Sequence, residues 1–311
     1  MTVMRHLARF RVTALGIILL PLLALLPWVS TGTAAAQSTP IQHIVVLYLE
    51  NHTFDSLLGY WCDRHPARGC IGMPASVRLS NGTVVQPTDS PDMVPWVQHT
   101  VSAQQKAING GKMNGWGQIV GCGVSAQHRC VSGYKPAQVP NLTSLAAKFA
   151  ISDHTFSMQD SPSYGGHLYA AMATNDGFTG DIPVPAPGVA PGPGWGCDSD
   201  LITPWHRTLT GPLQWMPSCV PDWHLGLAHG GAFESTHVRS APTIMDRLDA
   251  AGLTWRIYGE PTPGGAKSTG YGWDICPSIA ECLYTSQRTN NVLAAQFTTD
   301  AAAGACRASP S

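Results

Sequence analysis

The sequence predicts an α/β fold with a mostly parallel central sheet flanked by helices. Three observations carry that expectation. Ile44–Leu49 is a nearly unbroken apolar run, β-branched at its start and too short for a typical helix, which reads as a strand buried on both faces. Asn141–Phe149, His167–Ala173 and Pro242–Gly252 have helical spacing or strong helix formers. Leu253–Tyr258 returns to a strand pattern, so the order is strand, helix, strand, helix, helix, strand, with large loop insertions.

Composition narrows the class of protein. The chain has 311 residues, of which 12% are charged, and a formal net charge of −1, which excludes nucleic-acid steering and a polybasic membrane tether. Its 32 glycines and 25 prolines imply long ordered loops on a regular scaffold. Residues 1–36 read as an export signal. Arg5, Arg9 and Arg11 form a basic start, Val12 to Val29 an apolar stretch broken by Pro21 and Pro27, and Ala34–Ala36 a small-residue cleavage site. Cleavage there takes 36 residues from 311 and leaves 275, ample for one large α/β domain over residues 37–311, secreted or otherwise extracytoplasmic, with no stable membrane span once the signal is removed.

Nine cysteines agree with export. Eight fall into near neighbours, Cys62 with Cys70, Cys122 with Cys130, Cys197 with Cys219 and Cys276 with Cys282, each able to clip one loop as a disulfide. Cys306 is left over, and no spacing suited to a thiolate metal site occurs.

Along the chain, the first apolar run ends in Glu50 and Asn51, where an open α/β sheet collects its ligands. Two adjacent oxygen donors suit a hard cation, and equally suit an ordinary loop. Thr53 is the expected N-cap of a short helix that Gly59 can end. Residues 60–140 are rich in turn dipeptides, among them Asn81-Gly82, Asn109-Gly110 and Asn114-Gly115. Asn141–Phe149 places Leu142, Leu145, Ala146 and Phe149 on one helical face, followed by a short strand, Ile151–Phe156. The loop Ser157–Gly166 then leads into a helix beginning at His167. A hydroxyl at such a turn, here Ser163, lies near helix N–H groups that stabilise a phosphate or an oxyanion, although a capping serine is the commoner role. Residues 181–222 read as a Pro/Gly-rich ordered loop, and His224, His229 and His237 show no metal-ligand spacing.

Four stretches in one order resemble the bacterial phosphoesterase family that includes secreted phospholipases C and an acid phosphatase branch. Glu50-Asn51-His52-Thr53-Phe54-Asp55 is similar to the family's Glu-Asn-Arg-Ser-Phe-Asp, and Gly110–Trp116 to its Gly-Gly-Lys-Met-Asp-Gly-Phe, with Asn114 in place of the acid. Leu145–Asp153 followed by Pro162-Ser163 and His167-Leu168-Tyr169 resembles its nucleophile segment, and Thr254–Tyr258 its Ser-Trp-Lys-x-Tyr strand. The resemblance implies an alkaline-phosphatase-like fold and hydrolysis of phosphate mono- or diesters, with phospholipid among the candidate substrates. It implies Ser163 as a nucleophile forming a phosphoseryl intermediate, and His99 and His167 as donors or a general acid. Glu50 and Asn51 would help hold a divalent metal ion.

Members of that family continue to an acidic stretch like Asp-Glu-x-Gly-Gly-x-x-Asp-His, which completes the metal site. This chain has no such stretch, and Ala305–Ser311 does not resemble the family. The expectation is a fold incomplete at its C-terminus, with further metal ligands expected from a missing portion. Two other functions compete with the phosphoesterase: an inactive truncated relative, and a serine carboxylesterase built on Ser161–Gly165, which resembles half a nucleophile elbow.

Overall fold

Helices and short strands alternate along the chain, as an α/β fold requires, and the strands among the described residues gather into four small sheets. The computed structural model describes residues 41, 43–157, 160–190, 194–208, 211–224, 241–259 and 273–304. The expected export signal and Cys306 lie outside these residues. All elements below belong to the unit that begins at His43.

The first helix, α1 (Phe54–Arg64), starts where Thr53 accepts a hydrogen bond from the Ser56 N–H at 3.2 Å. It runs through Gly59 rather than stopping there. Gly59 faces the Met73 backbone, where an added Cβ would sit 3.3 Å from the nitrogen, so close packing explains that glycine better than a helix end. Trp61 and Cys62 carry the helix on into a small core with Leu58 and Ala146. After it come β1 (Val77–Arg78) and β2 (Val84–Val85), an antiparallel hairpin turning through Asn81 and Gly82. β3 (Thr88–Asp89) pairs in parallel with β4 (Ser132–Gly133), and α2 (Val101–Ile108) lies between them in sequence, ended by Asn109 at φ 45°.

α3 (Pro140–Lys148) confirms the expected helix, but only Ala146 of its predicted face is buried; Leu145 and Phe149 are half exposed or more. Ile151–Phe156 forms no strand. α4 (Ser163–Met172) begins four residues before the predicted start and buries both of its ends, with Tyr164 and Leu168 fully enclosed. Residues 181–222 are not simply a loop. They build β5 (Val184–Pro185), β6 (Leu201–His206) and β7 (Leu213–Pro217), an antiparallel sheet with β6 in the middle. β6 alternates inward Leu201, Thr203 and Trp205 with less buried neighbours, a pattern masked in sequence by Pro204.

α5 (Ile244–Ala250) opens with a capping box: Thr243 Oγ1 accepts from the Asp246 N–H, and the Asp246 carboxylate accepts from the Thr243 N–H. β8 (Ile257–Gly259), shorter than the predicted strand, pairs in parallel with β9 (Asn291–Leu293). α6 (Ala280–Tyr284) precedes β9 and α7 (Gln296–Ala302) follows it. The main core gathers Tyr164, Leu168, Phe178, Trp205, Val220, Met245 and Ile279, so α4, the β6 sheet, α5 and α6 share one interior. Each such side chain, fully buried, contributes about 1.5–3 kcal/mol.

One correction concerns the first predicted strand. Ile44–Leu49 is not a strand; the run is extended coil, with Ile44 82% and Leu49 76% exposed. A strand buried on both faces needs a hydrogen-bonded neighbour and two covering layers, and no described strand lies beside this segment. The α/β class stands: helices alternate with short sheets, and among the described pairings β3–β4 and β8–β9 are parallel while the others are antiparallel. All four expected disulfides are formed. Each closes a short loop, a contribution of about 2–4 kcal/mol on the chain-entropy view.

Candidate active site

The residues singled out by sequence converge on the start of α4. Ser163 occupies its first turn and is 5% exposed; Pro162, which has no polar side chain, is the cap residue. The Ser163 hydroxyl is therefore not the helix cap, which removes the commoner role. One turn on, His167 Nδ1 lies 2.9 Å from the Ser163 carbonyl oxygen. A carbonyl only accepts, so Nδ1 carries the proton, and in the neutral ring Nε2 keeps its lone pair.

Glu50 reaches the same imidazole: its Oε2 is 3.7 Å from His167 Nδ1. Tyr48 meets the ring edge-on with centroids 4.9 Å apart, and Trp273 packs on it at 5.0 Å. Burial, reinforced by the Glu50 charge, raises the Tyr48 phenol above its ordinary range. Trp273 in turn contacts Trp195, which meets Tyr164. Tyr48 and Trp273 thus pack the His167 ring with aromatic surface.

His99 arrives through Asp181. The Asp181 carbonyl accepts from the Tyr164 N–H at 3.0 Å, and its carboxylate Oδ2 lies 3.7 Å from His99 Nδ1. The imidazole from the segment before α2 is thereby linked to the residue next to Ser163. Gly165 is required here, since a Cβ would come within 2.2 Å of Ser161 Oγ and 2.7 Å of the Phe178 carbonyl.

Asn51 is the outlying member. It is exposed, adopts φ 75°, a conformation asparagine tolerates well, and continues the turn into α1. With Glu50 it supplies two oxygen donors, whereas a hard divalent ion takes six or more. Among the described residues, three or more ligating His, Cys, Asp or Glu side chains come together elsewhere, at His224, Asp246 and Glu281. Glu50 and Asn51 thus do not by themselves fit a metal ion.

Sequence reasoning missed Tyr48, Asp181 and Trp273. Tyr48 lies inside the apolar run, where only its phenol distinguishes it; Asp181 and Trp273 act through contacts more than ten residues from the motifs they support and leave no local signal.

A hydroxyl in the first turn of a buried helix, an imidazole one turn along and a carboxylate beside it form an arrangement suited to ester chemistry on an α/β scaffold. The chain matches the Phosphoesterase family over residues 41–303 and belongs to that family. Similar proteins include three from Arabidopsis thaliana. Non-specific phospholipase C6 is 29% identical over 167 residues, covering 50% of this chain and 31% of that protein. Non-specific phospholipase C1 is 28% identical, covering 46% and 29%, and non-specific phospholipase C3 is 27% identical, covering 49% and 33%. The matches thus span about a third of these relatives' length. No helix among the described residues is long and apolar enough to cross a membrane.

Proposed function

We propose that this chain is an exported phosphoesterase that hydrolyses phosphate mono- or diesters through Ser163, with phospholipid as a candidate substrate. The observation that carries the reading is the pairing of Ser163 and His167 one helical turn apart, with Glu50 against the imidazole. The family membership and the phospholipases C among the relatives support the substrate class. The four disulfides support the exported compartment.

In this reading the Ser163 hydroxyl gives its proton to a neighbouring imidazole as Oγ attacks phosphorus; the Oγ–P bond forms as the bond to the leaving oxygen breaks, and the leaving oxygen takes the proton from the imidazolium so formed. His167 and His99 are the candidate donors. Glu50 lies 3.7 Å from His167 Nδ1 and orients the ring, and the α4 amides favour the anionic phosphoryl group. Water then cleaves the phosphoseryl ester.

The test is turnover of p-nitrophenyl phosphate and of phosphatidylcholine by the purified mature chain, with and without chelator. Loss of turnover in Ser163→Ala supports the reading. Loss with chelator assigns a metal requirement. Cleavage of p-nitrophenyl acetate alone points to a carboxylesterase, and no turnover of any substrate to an inactive relative.

A further inference from the structure

A second carboxylate–imidazole cluster joins three parts of the chain that are far apart in sequence. His224 follows the bridge between Val220 and Ile279, Asp246 lies in the first turn of α5, and Glu281 lies in the first turn of α6. One ligand atom from each lies within 4.8 Å of the other two. His224 Nε2 is 3.3 Å from Glu281 Oε1. Neighbouring ligands around a tetrahedral ion with bonds of about 2.1 Å are separated by about 3.4 Å. The His224 side chain is 65% exposed and free to swing the short distance that closes the triangle.

The cluster is held as ligand sets are held. Asp246 Oδ2 accepts from the Thr243 N–H at 2.6 Å, and its Oδ1 accepts from Gln287 Nε2 at 3.0 Å. Asp222 Oδ1 accepts from the His224 N–H at 2.7 Å, fixing the backbone from which the imidazole projects. Such outer contacts orient ligands around a metal.

What the cluster lacks is positive charge. Glu281 is 7% exposed, and its Oε2 is buried without a hydrogen-bond partner. Burial, then the charges of Asp246 and Asp222, push its carboxyl up to about 7. Among the described residues no lysine or arginine forms an ion pair with Asp246 or Glu281. A buried carboxylate oxygen with neither donor nor cation is costly, and a cation removes that cost.

We propose that His224, Asp246 and Glu281 bind one divalent transition-metal ion of the zinc or manganese type, pinning the Val220–His224 segment to α5 and α6. The mixed imidazole and carboxylate set favours such ions over calcium or magnesium, which take oxygen ligands. None of the three residues is among the contacts of Ser163, His167 or Glu50 given above, so the proposal does not depend on the reading of Ser163.

The test uses the full disulfide-intact mature chain, stripped with chelator, dialysed and titrated with zinc chloride alone or manganese chloride alone. Calorimetry is expected to show uptake of one ion per chain at the tightest site. The thermal midpoint is expected to rise by about 5 °C or more at about a hundredfold excess over Kd. Glu281→Gln and Asp246→Asn are expected to abolish both effects, His224→Ala to weaken binding at least tenfold, and Glu50→Gln to leave it intact. If Glu281→Gln or Asp246→Asn fails to fold, His224→Ala decides, because that side chain is largely exposed. No saturable uptake by the parent chain, uptake unchanged in His224→Ala, or uptake lost only in Glu50→Gln would each overturn the proposal.

Discussion

Two short apolar segments supply the candidate site, and they are built in opposite ways. Ile44–Leu49 carries Glu50 at its end, yet Ile44, Val46, Leu47 and Leu49 are each more than two-thirds exposed. Ser163–Met172 carries Ser163 and His167, and its Tyr164 and Leu168 are fully enclosed by Phe178, Trp195 and Ile279. A helix satisfies its own backbone hydrogen bonds and needs only one packed face, so α4 is buried wherever a core exists to receive it. An extended run must borrow its hydrogen bonds from a neighbouring strand. The difference teaches that hydrophobicity alone does not bury a segment; its partners do.

Mutations at the helical side should therefore be expensive and those at the extended side cheap. The largest expected effect is on chemistry: Ser163→Ala lowers turnover of p-nitrophenyl phosphate by about a thousandfold or more, measured as kcat. His167→Gln comes next, at about a hundredfold, because it removes both the candidate proton donor and the partner of Glu50. Glu50→Gln should cost less than His167→Gln in the same assay; a larger loss would transfer the central role to the extended segment. For stability, Leu168→Ala should cost about 2–5 kcal/mol in denaturant unfolding, since the leucine is fully enclosed.

A smaller effect tests β8, the strand that did form. Burial alone would raise the Asp300 carboxyl, but hydrogen bonds from Arg256 and Tyr258 outweigh it and hold the group below its usual 3.8. A carboxylate lowered in the folded state contributes stability that is complete above its unfolded pKa and disappears as pH falls through the folded value. The parent chain should therefore lose stability on acidification below about pH 4 more steeply than Asp300→Asn, with the two curves converging at the acid end. Thermal unfolding across pH 2–7 reads this out. The smallest effect is expected at Leu47→Ala, within about 0.5 kcal/mol, because that side chain is 69% exposed. A cost of several kcal/mol there would mean the run is buried in solution and the contrast between the segments fails.

The site was more legible than the sheet. Ser163, His167 and Glu50 were singled out from short motifs, and the structure brings them together because a turn of helix and one chain crossing suffice. His99 reaches the group only through Asp181, a residue 82 positions away with no local signature. Gly59 and the 181–222 region were misread for a related reason. The close approach of Met73, and the pairing of β6 with β7 around Pro204, are contacts between chain segments and leave no periodicity of their own. The second cluster was hidden similarly: Asp246 serves locally as half of a capping box, while Glu281 joins it from a helix some 35 residues on.

By itself the sequence determined the disulfide pairs, the Thr53 cap, and the helices from Pro140 and from Ile244. All of these depend on interactions between residues close along the chain, where local geometry and short loop closure leave few choices. Only the tertiary structure decided whether Ile44–Leu49 became a strand, how the β6 sheet formed, and which carboxylates stand together beneath α5 and α6. Those outcomes depend on which distant segment arrives alongside, and that is settled by the competition of all segments for one core.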